Sequence, residues 1–159
     1  MEFDGHPLHW EGSHWQFEAE EWPWGELRNS RHDVSVCSEN HKRTPPCQKQ
    51  EETWRHLLSN QDRIYQIVLK AVFNYYRKIR PQYAAAGPEW IENMPVLTEP
   101  SQLNPKIGLT FIQIDWPVRR TVKIGLMFRC DWDSEHGLGL VLKRDKVIDI
   151  GGEDCAILF

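Results

Sequence analysis

The chain has 159 residues, 40% apolar and 26% charged, which fits one domain large enough to bury a core without disulfide staples. No apolar run reaches the roughly 18 residues of a membrane helix. Met1-Glu2-Phe3-Asp4-Gly5-His6 lacks the basic and apolar regions of a signal peptide, so no membrane association and a cytoplasmic location are expected. The net charge of −4 is uneven: residues 1–27 hold seven carboxylates and no Lys or Arg, residues 28–80 eleven bases against five acids, and residues 81–159 a deficit of three. An acidic end argues against nucleic acid, which needs a continuous basic stripe.

In chain order, His14-Trp15-Gln16-Phe17-Glu18-Ala19-Glu20 alternates with the period of a half-buried strand, and Trp22-Pro23-Trp24-Gly25 breaks it. Asp33-Val34-Ser35-Val36-Cys37 is a second short alternating strand. The rest of residues 1–49 reads as irregular, with a polar loop from Ser38 to Gln50. Between Glu51 and Arg80, apolar side chains at Trp54, Leu57, Leu58, Tyr65, Val68, Val72, Tyr75, Tyr76 and Ile79 form one stripe at helical spacing. This predicts a long helix over residues 50–80, split near Ser59-Asn60 if Ser59 and Asp62 form a cap, and ended by Pro81.

Residues 81–106 carry five prolines and read as a connection with short helical turns near Glu89–Asn93 and Pro100–Leu103. Residues 107–159 then read as an antiparallel meander. Leu109–Asp115, Val122–Arg129, Gly139–Lys143 and Lys146–Ile150 are rich in strand formers, and Arg144-Asp145 is a two-residue hairpin candidate. Ala156–Phe159 is expected to pack on the core. The pattern is an α+β domain, a mainly antiparallel sheet with one long, possibly split, helix on one face.

The four cysteines, Cys37, Cys47, Cys130 and Cys155, contain no CxxC and read as free thiols. Cys37 and Cys47 with His32 or His41 do not match a compact zinc motif, so neither a metal nor a cofactor is expected. His6, His9 and His14 read as surface residues.

The densest polar cluster runs from Cys130 through Trp132, Asp133, Glu135 and His136 to Gly137 and Gly139. Three readings stand open. Asp133, Glu135 and His136 could supply a base, an acid and an orienting group. The same three could bind a metal, although adjacent strand residues point to opposite faces. Alternatively, Asp133 accepts turn amides, Trp132 packs inward, and Gly137 and Gly139 supply positive φ or a bulge, so the cluster fixes hairpin register and touches a partner.

This stretch resembles the C-x-W-D-x-E-H-G-x-G signature of an uncharacterised bacterial domain family. The tail Val147–Asp154 resembles the family's V-G-x-x-D element, with Ile150 in place of Val, and Phe73-Asn74-Tyr75-Tyr76 resembles its Tyr-Tyr helix. The resemblance covers about residues 50–159. Members are similar to immunity proteins encoded beside polymorphic toxins, which have no activity of their own and block a sibling toxin. The resemblance therefore implies a non-enzymatic, monomeric or weakly dimeric protein that occludes a cognate toxin's active site. The acidic and aromatic residues Glu11, Glu18, Glu20, Glu21, Trp22 and Trp24 are the expected contacts with a basic toxin surface. A small hydrolase or metal-dependent enzyme built on Asp133, Glu135 and His136, and an adaptor that binds a peptide on an exposed strand near Val34, are the alternatives.

Overall fold

The computed structural model describes residues 1–19 and 32–157. The expected contacts Glu20, Glu21, Trp22 and Trp24, and the last two residues, Leu158 and Phe159, lie outside the described residues. Strands β1 (Glu2–Phe3) and β2 (His6–Pro7) form a small hairpin. Then come β3 (His9–Trp10), β4 (His14–Ala19), β5 (His32–Cys37), helices α1 (Gln48–Ser59), α2 (Gln61–Ala86) and α3 (Pro88–Ile91), and strands β6 (Ile107–Ile114), β7 (Ile124–Cys130), β8 (Asp133–Lys143) and β9 (Lys146–Gly151). Strands β3 to β9 form one seven-stranded sheet in sequence order. The molecule is an α+β fold, and among the described residues no helix is long and apolar enough to cross a membrane.

Register is set by rows of apolar side chains that run straight across the sheet. One row is Phe17, Val34, Ile112, Leu126 and Leu140; the next is Trp15, Val36, Ile114, Ile124 and Leu142. All ten are buried. A slip of one residue in any strand would turn its row to the opposite face, so burial pins the register. Trp54 of α1 meets this face edge-on against Phe17, with ring centroids 5.6 Å apart. The α2 stripe Ile64, Val68, Val72 and Tyr76 is fully buried. Each such side chain contributes about 1.5–3 kcal/mol through removal of apolar surface from water.

The structure bears out some expectations and corrects others. Strands β4 and β5 lie where the alternation placed them, but residues read as irregular before them form the two-residue strands β1 to β3, which are too short to leave a periodic signal. The β5–β6 pair is parallel, while the meander β6 to β9 is antiparallel as expected; the long helical connection allows a parallel return that no short loop could make. This pairing makes β5 an interior strand, so the backbone at Val34 is no exposed edge. Pro81 does not end the helix: α2 continues to Ala86. Ile79 and Tyr83 flank the proline and both pack against the core, so tertiary packing outweighs the lost backbone hydrogen bond.

The split between α1 and α2 falls at Asn60, as the sequence suggested, but without a Ser59 cap. The Asn60 amide Nδ2 instead donates back to the His56 carbonyl at 2.9 Å. Gln50, where the expected loop meets the expected helix, lies in the first turn of α1 and is fully buried. Its Nε2 donates to the Cys37 and Asp115 carbonyls at 2.8 and 3.0 Å, and its Oε1 accepts from the Cys47 amide at 3.0 Å. One side chain thus ties the start of α1 to the ends of β5 and β6, satisfying groups that burial would otherwise leave unpaired.

Candidate functional site

The signature residues build a turn and one wall of a cleft. Asp131 and Trp132 form the turn between β7 and β8, and Asp133 is already the first residue of β8, opposite Cys130. The indole of Trp132 is buried edge-on against Tyr76, centroids 5.0 Å apart at 81°. The Cys130 thiol donates to the Asp133 carbonyl at 3.4 Å, and burial pushes that thiol up to about 12, so it is neutral and structural.

Asp133 is the hub. Its Oδ1 accepts from the His136 amide at 2.9 Å and lies 3.1 Å from His136 Nδ1; its Oδ2 accepts from the Tyr83 hydroxyl at 3.1 Å. Burial works to raise this carboxyl, but the hydrogen bonds from the His136 backbone and ring and from Tyr83 outweigh it and hold it below the ordinary value. Tyr83 is pushed up to about 12, first by burial and then by the Asp133 charge, so it stays a donor. Both Asp133 oxygens are thereby occupied.

The two glycines serve different ends. Gly137 has φ +58°, and a Cβ there would sit 3.0 Å from the Phe128 carbonyl. Gly139 has no unusual φ; a Cβ would lie 2.5 Å from the Gly152 carbonyl, so its absence lets the 3-10 turn Glu153–Ala156 close over β8. The sequence reading offered positive φ or a bulge for both. Gly137 has both, because the ladder passes from Phe128↔Leu138 to Cys130↔Asp133 and the extra residues, 134–137, lie on β8.

Beside this turn, the end of α2, α3 and the start of β8 enclose a cleft of about 510 Å³. Four acids line it, Glu89, Asp131, Asp133 and Glu135, and among the described residues no Lys or Arg does. Trp90 on its rim is 55% exposed. Ser134, Glu135 and His136 face solvent, the His136 side chain 74% exposed. Chemically the cleft offers one imidazole oriented by one carboxylate; among the described residues no Ser, Thr or Cys side chain hydrogen-bonds that imidazole. Glu135 does not join the Asp133–His136 pair. Among the described residues no three His, Cys, Asp or Glu side chains converge as metal ligands would, so Cys37, Cys47, His32 and His41 are not gathered into one cluster.

The expected contacts Glu11 and Glu18 are exposed and line a shallow cleft of about 340 Å³ with Pro7 and His9. Three strands lie between β4 and β8, four inter-strand steps or about 19 Å at the spacing of a sheet, so this patch is distinct from the signature cleft. His9 is exposed, whereas His6 and His14 are half-buried; His6 stacks on Phe17 at 4.6 Å. Sequence reasoning missed Tyr83, Glu89 and Trp90. A signal for Tyr83 existed: Tyr76, Ile79 and Tyr83 continue the helical stripe beyond Pro81.

A family model described as a domain of unknown function, DUF6985, matches residues 7–158. The chain belongs to the DUF6985 family. The DUF6985 match takes in strands β3 to β5, so the family domain is not confined to residues 50–159. The DUF6985 description assigns neither an activity nor a partner. No curated protein matches the chain, and no solved structure does.

Proposed function

We propose that this protein acts by binding rather than by catalysis, as an immunity protein that captures a cognate toxin encoded beside it and covers the toxin's active site. The observation that carries the reading is the signature cleft itself, lined among the described residues by four carboxylates and no Lys or Arg, beside an exposed tryptophan. An exposed Trp is an efficient interface anchor. A one-sign acidic rim speeds encounter with a basic surface and disfavours wrong partners. Asp133, with both oxygens hydrogen-bonded, holds the β7–β8 turn. The resemblance of the signature to those of toxin-neutralising proteins supplies the partner class. The N-terminal acids Glu11 and Glu18 offer a second contact patch on the same molecule.

Co-expression with the adjacent gene tests this. The wild-type chain is expected to restore growth, and Glu89→Arg/Glu135→Arg, both exposed positions, is expected to lose protection while remaining folded. Equal growth inhibition with and without the chain overturns the proposal. A second reading, a small hydrolase or metal-dependent enzyme, draws on the 3.1 Å contact of His136 with Asp133. Stoichiometric metal in the purified protein, lost in a folded His136→Ala variant, would favour it over immunity.

A further inference from the structure

At the opposite end of β8 lies a second cleft, of about 550 Å³, between α1, the β8–β9 hairpin and the loop joining β6 to β7. Lys49, Arg120, Lys143 and Arg144 line it, and none of the four is ion-paired among the described residues. The acids nearby are already engaged. Glu52 accepts from Gln48 at 2.8 Å, and the Asp145 carboxylate lies 2.7 Å from His56 Nε2 and 2.8 Å from Arg63. Glu52 keeps its charge, since its partner Gln48 is neutral, so among the described residues the lining carries four cations against one carboxylate, and the excess positive charge around one concavity favours an anion there.

The backbone adds an independent observation. Among the described residues six non-glycine positions have positive φ. Three are Asp4, Asn40 and His41, types that tolerate the left-handed region. The other three are all arginines: Arg119 and Arg120 (φ 49° and 66°) and Arg144 (φ 52°). Arg119 and Arg120 are the two central residues of a tight turn closed by Val118 N–H to Thr121 O at 2.9 Å and Thr121 N–H to Val118 O at 3.0 Å. Such turns favour Asn-Gly, which would remove the strain. Arg144 occupies the tip of the β8–β9 hairpin. Two separate turns thus hold arginine where glycine would fold better, and both turns open onto the same cleft.

We infer that this cleft binds a compact polyvalent phosphate, two or more linked phosphoryl groups held by Arg120, Arg144, Lys49 and Lys143. Guanidinium forks match phosphoryl oxygens two at a time, and lysines add point charge. The volume suits a small ligand rather than an extended chain. Among the described residues no Phe, Tyr or Trp lines the cleft, so these give no stacking platform for nucleobases, and the phosphates themselves are the recognised group. The site is about 20 Å from the acidic cleft, the span of β7 from Cys130, opposite Asp133, to Ile124, opposite Leu142, and does not depend on the binding reading given above.

Calorimetric titration of the full chain with tripolyphosphate, ATP and oligo-glutamate at physiological salt tests it. Tripolyphosphate is expected to bind one to one, at least tenfold more weakly to Lys143→Glu and to Arg120→Gly, and with unchanged affinity to Glu135→Arg. Arg120→Gly is also expected to raise the Tm, because glycine relieves the left-handed backbone, so weakened binding there cannot be blamed on misfolding. Equal affinity for ATP and tripolyphosphate identifies the phosphates alone as the ligand, and tighter ATP binding identifies a nucleotide source; both support the site. No tripolyphosphate binding, binding unchanged in Lys143→Glu and Arg120→Gly, or oligo-glutamate binding as tightly, overturns it.

Discussion

Two residues show how local chemistry fixes this molecule. At Gly139, an added methyl would meet the Gly152 carbonyl at 2.5 Å and the Glu153 carbonyl at 2.8 Å, both backbone and unable to swing away. Gly139→Ala should therefore cost about 2–3 kcal/mol, or about 5–10 °C in Tm. Gly151→Ala, whose Cβ would meet only the Cys155 Cβ at 3.7 Å, should be close to neutral in the same melting experiment. His32 is 1% exposed, and burial holds its ring below 6.5, partly opposed by the Leu109 backbone and Asp33. The folded protein thus binds this proton less readily than the unfolded chain. Its contribution to stability is present above 6.5 and is lost as pH falls through the lowered folded value. Denaturant titrations of wild type and His32→Gln should show a stability gap that narrows from pH 7.5 to pH 5; a constant gap would contradict the assignment. Asp133 adds a separate limb at lower pH: stability present above 3.8 is lost as pH falls through its depressed folded value.

At the scale of elements, the helix and the meander were readable because their periodicities are long. The stripe from Trp54 to Ile79, the break near Asn60 and the Arg144-Asp145 hairpin all follow from spacing and turn chemistry. Elements whose cause is tertiary were not readable. The parallel β5–β6 pairing joins residues on either side of the whole helical segment, and Gln50 is recognisable as structural only once three chain segments meet around it. The acidic cleft is drawn from α2, α3 and β8, and its Glu89 and Trp90 lay in a segment read as connection. Pro81 is the instructive miss: a strong local rule gave way because Tyr83, two residues on, is held by the core and by Asp133. Within a helix, proline costs about 3 kcal/mol relative to alanine. Pro81→Ala should accordingly raise stability by about 1–3 kcal/mol in chemical denaturation, with Tyr83 still bonded to Asp133. A loss of stability would mean that the proline shapes the helix end that Tyr83 requires.

For the whole molecule, the arrangement is bipolar. Strand β8 carries the acidic signature cleft at its start and the basic cleft at its end, about 20 Å apart as measured by the paired span of β7, and the apolar rows between them tie the two ends into one sheet. A net charge of −4 conceals this separation. The central claim is that the acidic end is a binding face and that its polar signature holds a turn rather than running a reaction. The most direct check is the affinity of the purified chain for the product of the adjacent gene, measured by calorimetry on wild type and on Glu89→Arg/Glu135→Arg. The account expects tight one-to-one binding, weakened at least tenfold in the variant at unchanged Tm. No binding, or equal affinity in both proteins, would contradict it.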